Sequence, residues 1–589
     1  MRRQTLLATL LGAVLAVVMT WPMMSAPGQL ARIDTHDGKF SVWNVAWVAH
    51  ALLNDPANVF NANVFHPHQG TLAYSEANIV AGAMAAPVYA ITGNPIAAHN
   101  IVVYISLVLA FVLTWHLVRR LTGSPWAGVP PAAGFAFSAY VSAHTAHVQL
   151  LLVFVVPLVL IVWHRFAEAP GLRRGCVLGA TLTLAVLACA YYGIMMGLAV
   201  GFAALWFAAG QPHPRRYWLG LAAAVLVAAA LVAPVALPYA TMRDEVGFRS
   251  ALNVEEARDL RADHRTYMRG QSGPLTKVLP ESWRVGLDSY VGRMGEVLFP
   301  GIIIIGLALA GLALSARVVP ARRVFWFYVG VTVMAVWASL GPTAGLYGWL
   351  ADIIPFMSFL RAPSRFGVLV LMGLAVFAGM GIAAIAQSGR RRPWLVPVLL
   401  ALVVIELRVS WPLRPVPPVP EAYQVLAGMP RAGTLVLHFP YRRGEWFPHV
   451  EHMFWSMWHW QPLVNGYSDF IPSDIQAEAI PLNGFPDEES FRLLRARGVR
   501  YVAIDWRTYN GPATAVMQGR FPPYAAYLRP LVTSGPVSLY EIVRWPESAG
   551  RWPRVRLATP PEIENNITSA APRNDSASAD SSGRPNRAK

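Results

Sequence analysis

Apolar runs of membrane-spanning length recur along this chain, near 5–25, 99–118, 127–143, 148–164, 175–190, 192–209, 217–239, 298–316, 324–341, 365–387 and 393–410. A hydrocarbon core about 30 Å thick takes roughly 20 helical residues to cross, so the pattern predicts about 11 transmembrane helices. The stretch Asn78 to Thr92 is apolar but short and interrupted by Pro87, which predicts a re-entrant or interfacial helix and keeps it out of the count. Leu6 to Met24 follows Met1-Arg-Arg3 as a signal peptide would. It is long enough to span and has no small-x-small cleavage site before Pro27, so it is read as an uncleaved first helix.

With a cytoplasmic N-terminus, the inside loops carry Arg119-Arg120, Arg165 with Arg173-Arg174, Arg215-Arg216, Arg317 with Arg322-Arg323, and Arg390-Arg391-Arg392. That is the distribution the positive-inside rule asks for. The same parity places 26–98, 240–297, 342–364 and everything after about 411 outside. Past Arg408 the pattern changes to a stiff proline linker, Trp411 to Pro420. Shorter periods follow. They predict helices over Glu421 to Ala427, Glu451 to Trp460 and Ser490 to Arg497, and strands over Thr434 to Phe439, Val499 to Asp505 and Val537 to Val543. The expected fold class is therefore a polytopic α-helical membrane protein with a C-terminal extracytoplasmic α/β domain. Residues 1–410 form the membrane part with large outer loops at 26–98 and 240–297, 411–558 the periplasmic domain, and 559–589 a disordered tail poor in large apolar residues.

Composition agrees with this picture. Hydrophobic residues make up 55% of the 589 and charged ones 14%, more apolar than an ordinary soluble domain. The net charge of +16 falls in short clusters between apolar runs, which marks topology rather than a nucleic-acid surface. Cys176 and Cys189 are the only cysteines and lie about 20 Å apart along a helix at 1.5 Å per residue. They do not pair, and outer parts without disulfides fit the inner membrane of a bacterial envelope. Apart from Glu406 the spans hold almost no ionisable residue, with His116 and His164 beside cytoplasmic arginines. An ion-coupled transporter needs such groups at mid-membrane. No nucleotide-binding or nucleophile-elbow motif stands in a fitting context.

The candidate chemistry gathers in the outer loops. Asp34 and Asp37 follow the first span; in a helix their three-residue spacing would set both carboxylates on one face. One carboxylate within hydrogen-bond reach of a hydroxyl removes its proton, and a second raises the pKa of the first or holds a divalent cation such as Mg or Mn. The loop continues with Trp43, Trp47, His50, Asn61 to His68, and Thr71 to Glu76, so Trp43, Trp47 and Glu76 are candidate substrate-lining residues. His144 and His147 join them, because with no third ligand nearby in sequence a metal site is the weaker reading. Arg361 and Arg365 flank Ala-Pro-Ser just before a span. With Arg249, and more weakly Arg243 and Arg258, they are candidates for a lipid-phosphate group. Glu255 and Glu256 beside Arg249 read as a loop ion-pair network. Trp455, Trp458, His459 and Trp460 read as a packing face against the membrane part, and Asn465-Gly466 as a turn.

In these residues the chain resembles the bacterial GT-C superfamily of glycosyltransferases, which use polyprenyl-phosphate sugars. Asp37 with Trp43 and Trp47, Asn63-Val-Phe-His-Pro67, Thr71-Leu-Ala-Tyr-Ser75, Leu360-Arg-Ala-Pro-Ser-Arg-Phe366 and Asn465-Gly-Tyr-Ser468 look like one bacterial branch of it. The likeness runs over nearly the whole chain before the tail. It implies an inverting transfer from a polyprenyl-phosphate sugar donor to an extracytoplasmic acceptor, a cell-envelope glycan, lipid or protein, with a first-loop acid as general base. Many members have adjacent acids in this loop, whereas here two residues separate Asp34 from Asp37. Asp37 is preferred as the base because it opens the segment containing Trp43 and Trp47; Asp34 is assigned to support or cation binding. The competing readings are a lipid-linked sugar flippase or transporter, whose carboxylates only line a vestibule, and a non-catalytic envelope-assembly protein.

Overall fold

A computed structural model describes residues 2–246, 253–268, 297–314, 322–354, 357, 359–387, 394–431, 433–441, 447–509 and 511–547. Arg249, the side chain of Arg243 and the expected tail lie outside the described residues. The chain opens with α1 (Arg2–Met19), α2 (His36–Asn54), α3 (Ile79–Thr92) and α4 (Pro95–Thr122). Next come α5 (Val129–Ala136), α6 (Ala139–Ala143), α7 (Val148–Leu151), α8 (Val155–Glu168), α9 (Leu172–Ala188), α10 (Ala190–Ala208), α11 (Pro214–Val246) and α12 (Val254–Asp259).

Among the described residues five helices are long and apolar enough to cross a membrane: Arg2–Met19, Pro95–Thr122, Ala190–Ala208, Pro214–Met242 and Pro363–Gln387. Three shorter apolar helices, Ile79–Thr92, Ile302–Leu314 and Leu395–Leu407, accompany them. By these helices the chain is a membrane protein. The runs 127–143 and 148–164 are not single helices. Ser138, with ψ of 160°, leaves the helical region between α5 and α6, and the chain turns again at Leu152 to Phe154, just before Pro157 in the first turn of α8. A proline is tolerated in a first turn because that N–H has no intrahelical partner. The breaks draw His144 to His147 inward, beside α2. Glu406, the one carboxylate of the apolar runs, accepts hydrogen bonds from Ile302 N (2.5 Å) and Ile303 N (3.2 Å). It satisfies the orphan donors and positive end of the helix Ile302–Leu314.

The domain after the proline linker, called the outer domain for the side the sequence predicts, is built on a four-stranded sheet of β3 (Val436–Phe439), β4 (Tyr501–Asp505), β5 (Leu528–Val532) and β6 (Val537–Ile542), in the order β3-β4-β6-β5. β3 and β4 run parallel, and the remaining pairs are antiparallel. Every residue of β4 is buried, which is why it reads as a continuous apolar run rather than an alternating one. β5 escapes sequence reading because Pro530 sits in it; the strand is an edge with a register shift between Pro530 and Val532, where a proline is permitted.

The outer domain and the first loop share one core. Ala31, Trp43, Phe65 and Tyr74 pack in the same buried cluster as Tyr423, Leu437, Trp455 and Val502. The proline linker is pinned: β1 (Leu30–Ala31) pairs antiparallel with β2 (Arg414–Pro415), and Val416 N donates to Gln29 O at 2.8 Å. Trp460 stacks on His50 at 4.7 Å and meets the edge of Trp47 at 5.6 Å. Its Nε1 donates to Tyr89 of α3 at 3.0 Å. Lys39 pairs with Glu451, and His68 with Asp474 at 3.0 Å. This packing fixes the outer domain over the loop.

Candidate active site

The cavity begins at the N-terminus of α2. Thr35 is extended (φ −121°, ψ 156°) and its Oγ accepts from Gly38 N at 3.2 Å, so the helix starts at His36 and Asp37 lies in its first turn. Asp34 therefore precedes the cap and shares no helical face with Asp37, which corrects the expected pairing. Its carboxylate pairs instead with Arg32, whose Nε donates to Thr145 Oγ1 at 2.9 Å. The tight start depends on Gly38, where an added Cβ would lie 1.9 Å from Arg32 O. Gly38→Ala is expected to cost about 1–3 kcal/mol of stability by overpacking and to displace Asp37, seen as a lower thermal midpoint together with lost activity.

Around Asp37 the fold assembles a cavity of about 670 Å³ including its open mouth, lined by residues from five separate stretches. The first loop brings Asp37, Ser41, Ser75 and Glu76; the α6–α7 connection and α7 bring His147 and Gln149; α10 brings Tyr191. Arg361 and Arg365 come from the segment before Gly367–Gln387, and Tyr467 and Asp469 from the outer domain. His147 Nε2 stands 3.7 Å from Asp37 Oδ2. Burial, reinforced by the positive charge of Arg365, keeps this imidazole neutral, its pKa well below the usual value. Burial also pushes the Asp37 carboxyl up, opposed by Arg361 and aided by Asp469. Tyr467 is pushed up by burial and by the same two aspartates.

The two arginines differ. Arg361 Nη1 lies 3.5 Å from Glu256 Oε1 and 3.8 Å from Asp469 Oδ1, and its backbone N–H donates to Tyr191 OH at 3.1 Å. Arg365 is only 7% exposed; its guanidinium lies 4.2 Å over the Tyr191 ring, and its Nε is buried without a hydrogen-bond partner among the described residues. A buried cation left in that state is costly unless an anion completes it. Glu76 spends one carboxylate oxygen on Ala190 N, at 2.6 Å, holding the start of α10 and with it Tyr191 in place.

Other candidates lie off the cavity. Trp43 is buried and donates to Asn63 Oδ1 at 3.3 Å; Trp47 donates to Val59 O at 2.9 Å. Both indoles belong to the shared core with the outer domain rather than to the lining. His144 is buried behind His147 and donates from Nδ1 to Tyr140 O at 2.7 Å. Glu256 faces Arg361, and its expected partner Arg249 is outside the described residues. Sequence reading missed Tyr191, Tyr467 and Asp469. Only Tyr467 had a cue, through the Asn465-Gly-Tyr-Ser468 stretch. No group of three or more His, Cys, Asp or Glu among the described residues is placed to hold a metal ion.

No protein-family profile matches the chain, and no curated protein does. Solved structures do. Arabinofuranosyltransferase AftD from Mycobacteria aligns at 13% identity over 92% of this chain with a TM-score of 0.54, and its R1389S mutant at 16% over 93% with 0.57. The chain shares the fold of these two structures. The chain spans 40% and 42% of those two structures. ArnT from Cupriavidus metallidurans in the apo state aligns at 13% identity over 85% of this chain and 93% of its own, with a TM-score of 0.37, too low to bear on the fold.

Proposed function

We propose that this protein is a GT-C-type membrane glycosyltransferase that moves one sugar from a polyprenyl-phosphate donor to an acceptor outside the cytoplasmic membrane, with inversion. The observation that carries the reading is that Asp37, Arg361 and Arg365, far apart in sequence, line one cavity with complementary chemistry. The fold likeness to an arabinofuranosyltransferase supports the same class. The N-terminus is cytoplasmic by the arginine pattern, so the cavity faces outward.

In this reaction Asp37 takes the proton of the acceptor hydroxyl as its oxygen bonds to the anomeric carbon. The bond from that carbon to the phosphate oxygen breaks, and polyprenyl phosphate leaves with the bonding pair. Arg361 and Arg365 hold the phosphate and stabilise the charge that develops on it. His147, neutral and 3.7 Å from Asp37, lines the acceptor side with Gln149 and Tyr467. Asp34 supports through Arg32. Transfer measured with and without a chelator decides whether a divalent cation takes part.

The test is an assay of purified protein in nanodiscs with polyprenyl-phosphoryl hexoses and pentoses and envelope glycan acceptors. Release of polyprenyl phosphate with a new glycosidic bond is expected. Movement of lipid-linked sugar across vesicles without any new bond would establish the flippase reading instead. Two further outcomes follow. Arg365→Met should weaken polyprenyl-phosphate binding by roughly 10- to 100-fold, the loss of one charge-assisted hydrogen bond, with little loss of stability, since it relieves the desolvation of a guanidinium whose Nε is buried without a hydrogen-bond partner among the described residues. And since Asp37 acts ionised and burial raises its pKa, kcat/KM should fall with decreasing pH through a midpoint above the ordinary carboxylate range of about 4.

A further inference from the structure

The outer domain reaches the cavity through a turn clamped between its own strand β3 and the first loop. Asn465 accepts from His438 N at 2.6 Å and donates to His438 O at 3.0 Å, while its own carbonyl accepts from Phe65 N at 3.2 Å. Gly466 lies on the Phe65 ring so closely that a Cβ would stand 2.5 Å from a ring carbon. The next residues are thereby pressed against the membrane part, and Asp469 arrives in the cavity. Its Oδ2 accepts from Ser75 Oγ at 2.9 Å, and its Oδ1 stands 3.8 Å from Arg361 Nη1. Glu256 of α12 stands 3.5 Å from the same nitrogen. Both separations exceed the roughly 2.7–2.9 Å of a charge-assisted hydrogen bond. Arg361 is thus held between two carboxylates from different parts of the molecule, loosely enough that a phosphate with bidentate geometry displaces them.

Resting on the transferase reading, we propose that Asp469 is a positioning residue for the reaction: with Glu256 it holds the Arg361 guanidinium in the cavity while the donor is absent and yields it to the donor phosphate. The outer domain then belongs to the catalytic unit, and donor binding is felt across the contact between that domain and the membrane part. Asp469 also adds negative charge near Asp37, in line with its upward push on that carboxyl.

Kinetics of Asp469→Asn test this in the full chain, in nanodiscs, with a polyprenyl-phosphoryl sugar as donor. Asn is isosteric and its amide oxygen still accepts from Ser75. Losing the competing carboxylate should lower the donor KM by up to about fivefold, the size of an accessible ion pair. The acid limb of the pH profile should move to lower pH as Asp37 loses a like-charged neighbour. A merely structural residue would move neither. Glu256→Gln should lower KM in the same direction with a smaller shift of the acid limb, and it decides the matter if Asp469→Asn does not fold. An unchanged donor KM in both variants overturns the proposal, as does a folded Asp469→Asn protein with wild-type KM and pH profile. If Asp37→Asn is inactive while Asp469→Asn is silent, this inference alone fails; if Asp37→Asn is fully active, the proposed base fails and this inference with it.

Discussion

Replacing Asp37 by Asn is expected to lower the rate of sugar transfer by about 10²–10⁴-fold, the contribution of a positioned general base, with the protein still folded. The substitution keeps the side chain's shape but cannot take a proton from the acceptor. Its neutrality makes the comparison clean. Burial disfavours the ionised carboxylate in the folded state, so at neutral pH the charge costs stability and Asn should leave the thermal midpoint equal or slightly higher. A carboxyl whose folded pKa is raised contributes stability at low pH and loses it as pH rises. Asp34→Asn should behave otherwise, because that carboxylate is tied to Arg32 outside the cavity; its effect should be a modest loss through the Arg32–Thr145 contact. Parallel measurement of product formation and thermal midpoints for the two variants checks both statements.

The second large effect is structural. Arg497→Ala should destabilise the packing of the outer domain on the first loop by about 3–5 kcal/mol, the cost of breaking a buried ion pair by removing one partner. Arg497 donates to Asp474 at 2.8 Å, pairs with Glu478, and donates to His66 O at 3.2 Å; the three side chains are 7%, 7% and 8% exposed. Asp474 also takes His68 of the first loop at 3.0 Å. Burial pushes the Asp474 carboxyl up, yet the hydrogen bonds and charge of His68 and Arg497 outweigh it and hold its pKa well below the usual range. This carboxyl therefore contributes stability above its unfolded pKa that is lost only in strong acid. An Arg497→Ala and Asp474→Ala double variant should lose less than the sum of the singles. Chemical denaturation followed by tryptophan fluorescence measures this, since Trp455 and Trp460 sit in the shared core.

The parts of this fold that were legible in sequence are those whose signal is local. Apolar runs gave the long helices, and continuous burial gave β4. The cavity acids and cations Asp37, Glu76, Arg361 and Arg365 stood out as charged residues flanking apolar segments on the outer side. What sequence reading could not supply was the effect of a single cap or a distant contact. Thr35 as N-cap moves the helix start past Asp34, so the three-residue spacing does not become a shared face. Trp43 and Trp47 look the same in sequence whether they face a sugar or a protein core; the outer domain, docked through Trp460 and Asn63, takes them for the core. Asp469 carries no mark of its role, because its place in the cavity rests on Phe65, about 400 residues earlier, clamping the turn before it.

The most direct measurement is a structure of the full chain in nanodiscs with a polyprenyl phosphate bound. The phosphate is expected between Arg361 and Arg365, facing Asp37, with its isoprenoid chain leading out into the bilayer. Phosphate seated on another surface, with the cavity between Arg365 and Asp37 empty, would mean that the arginines and Asp37 do not form one reaction centre.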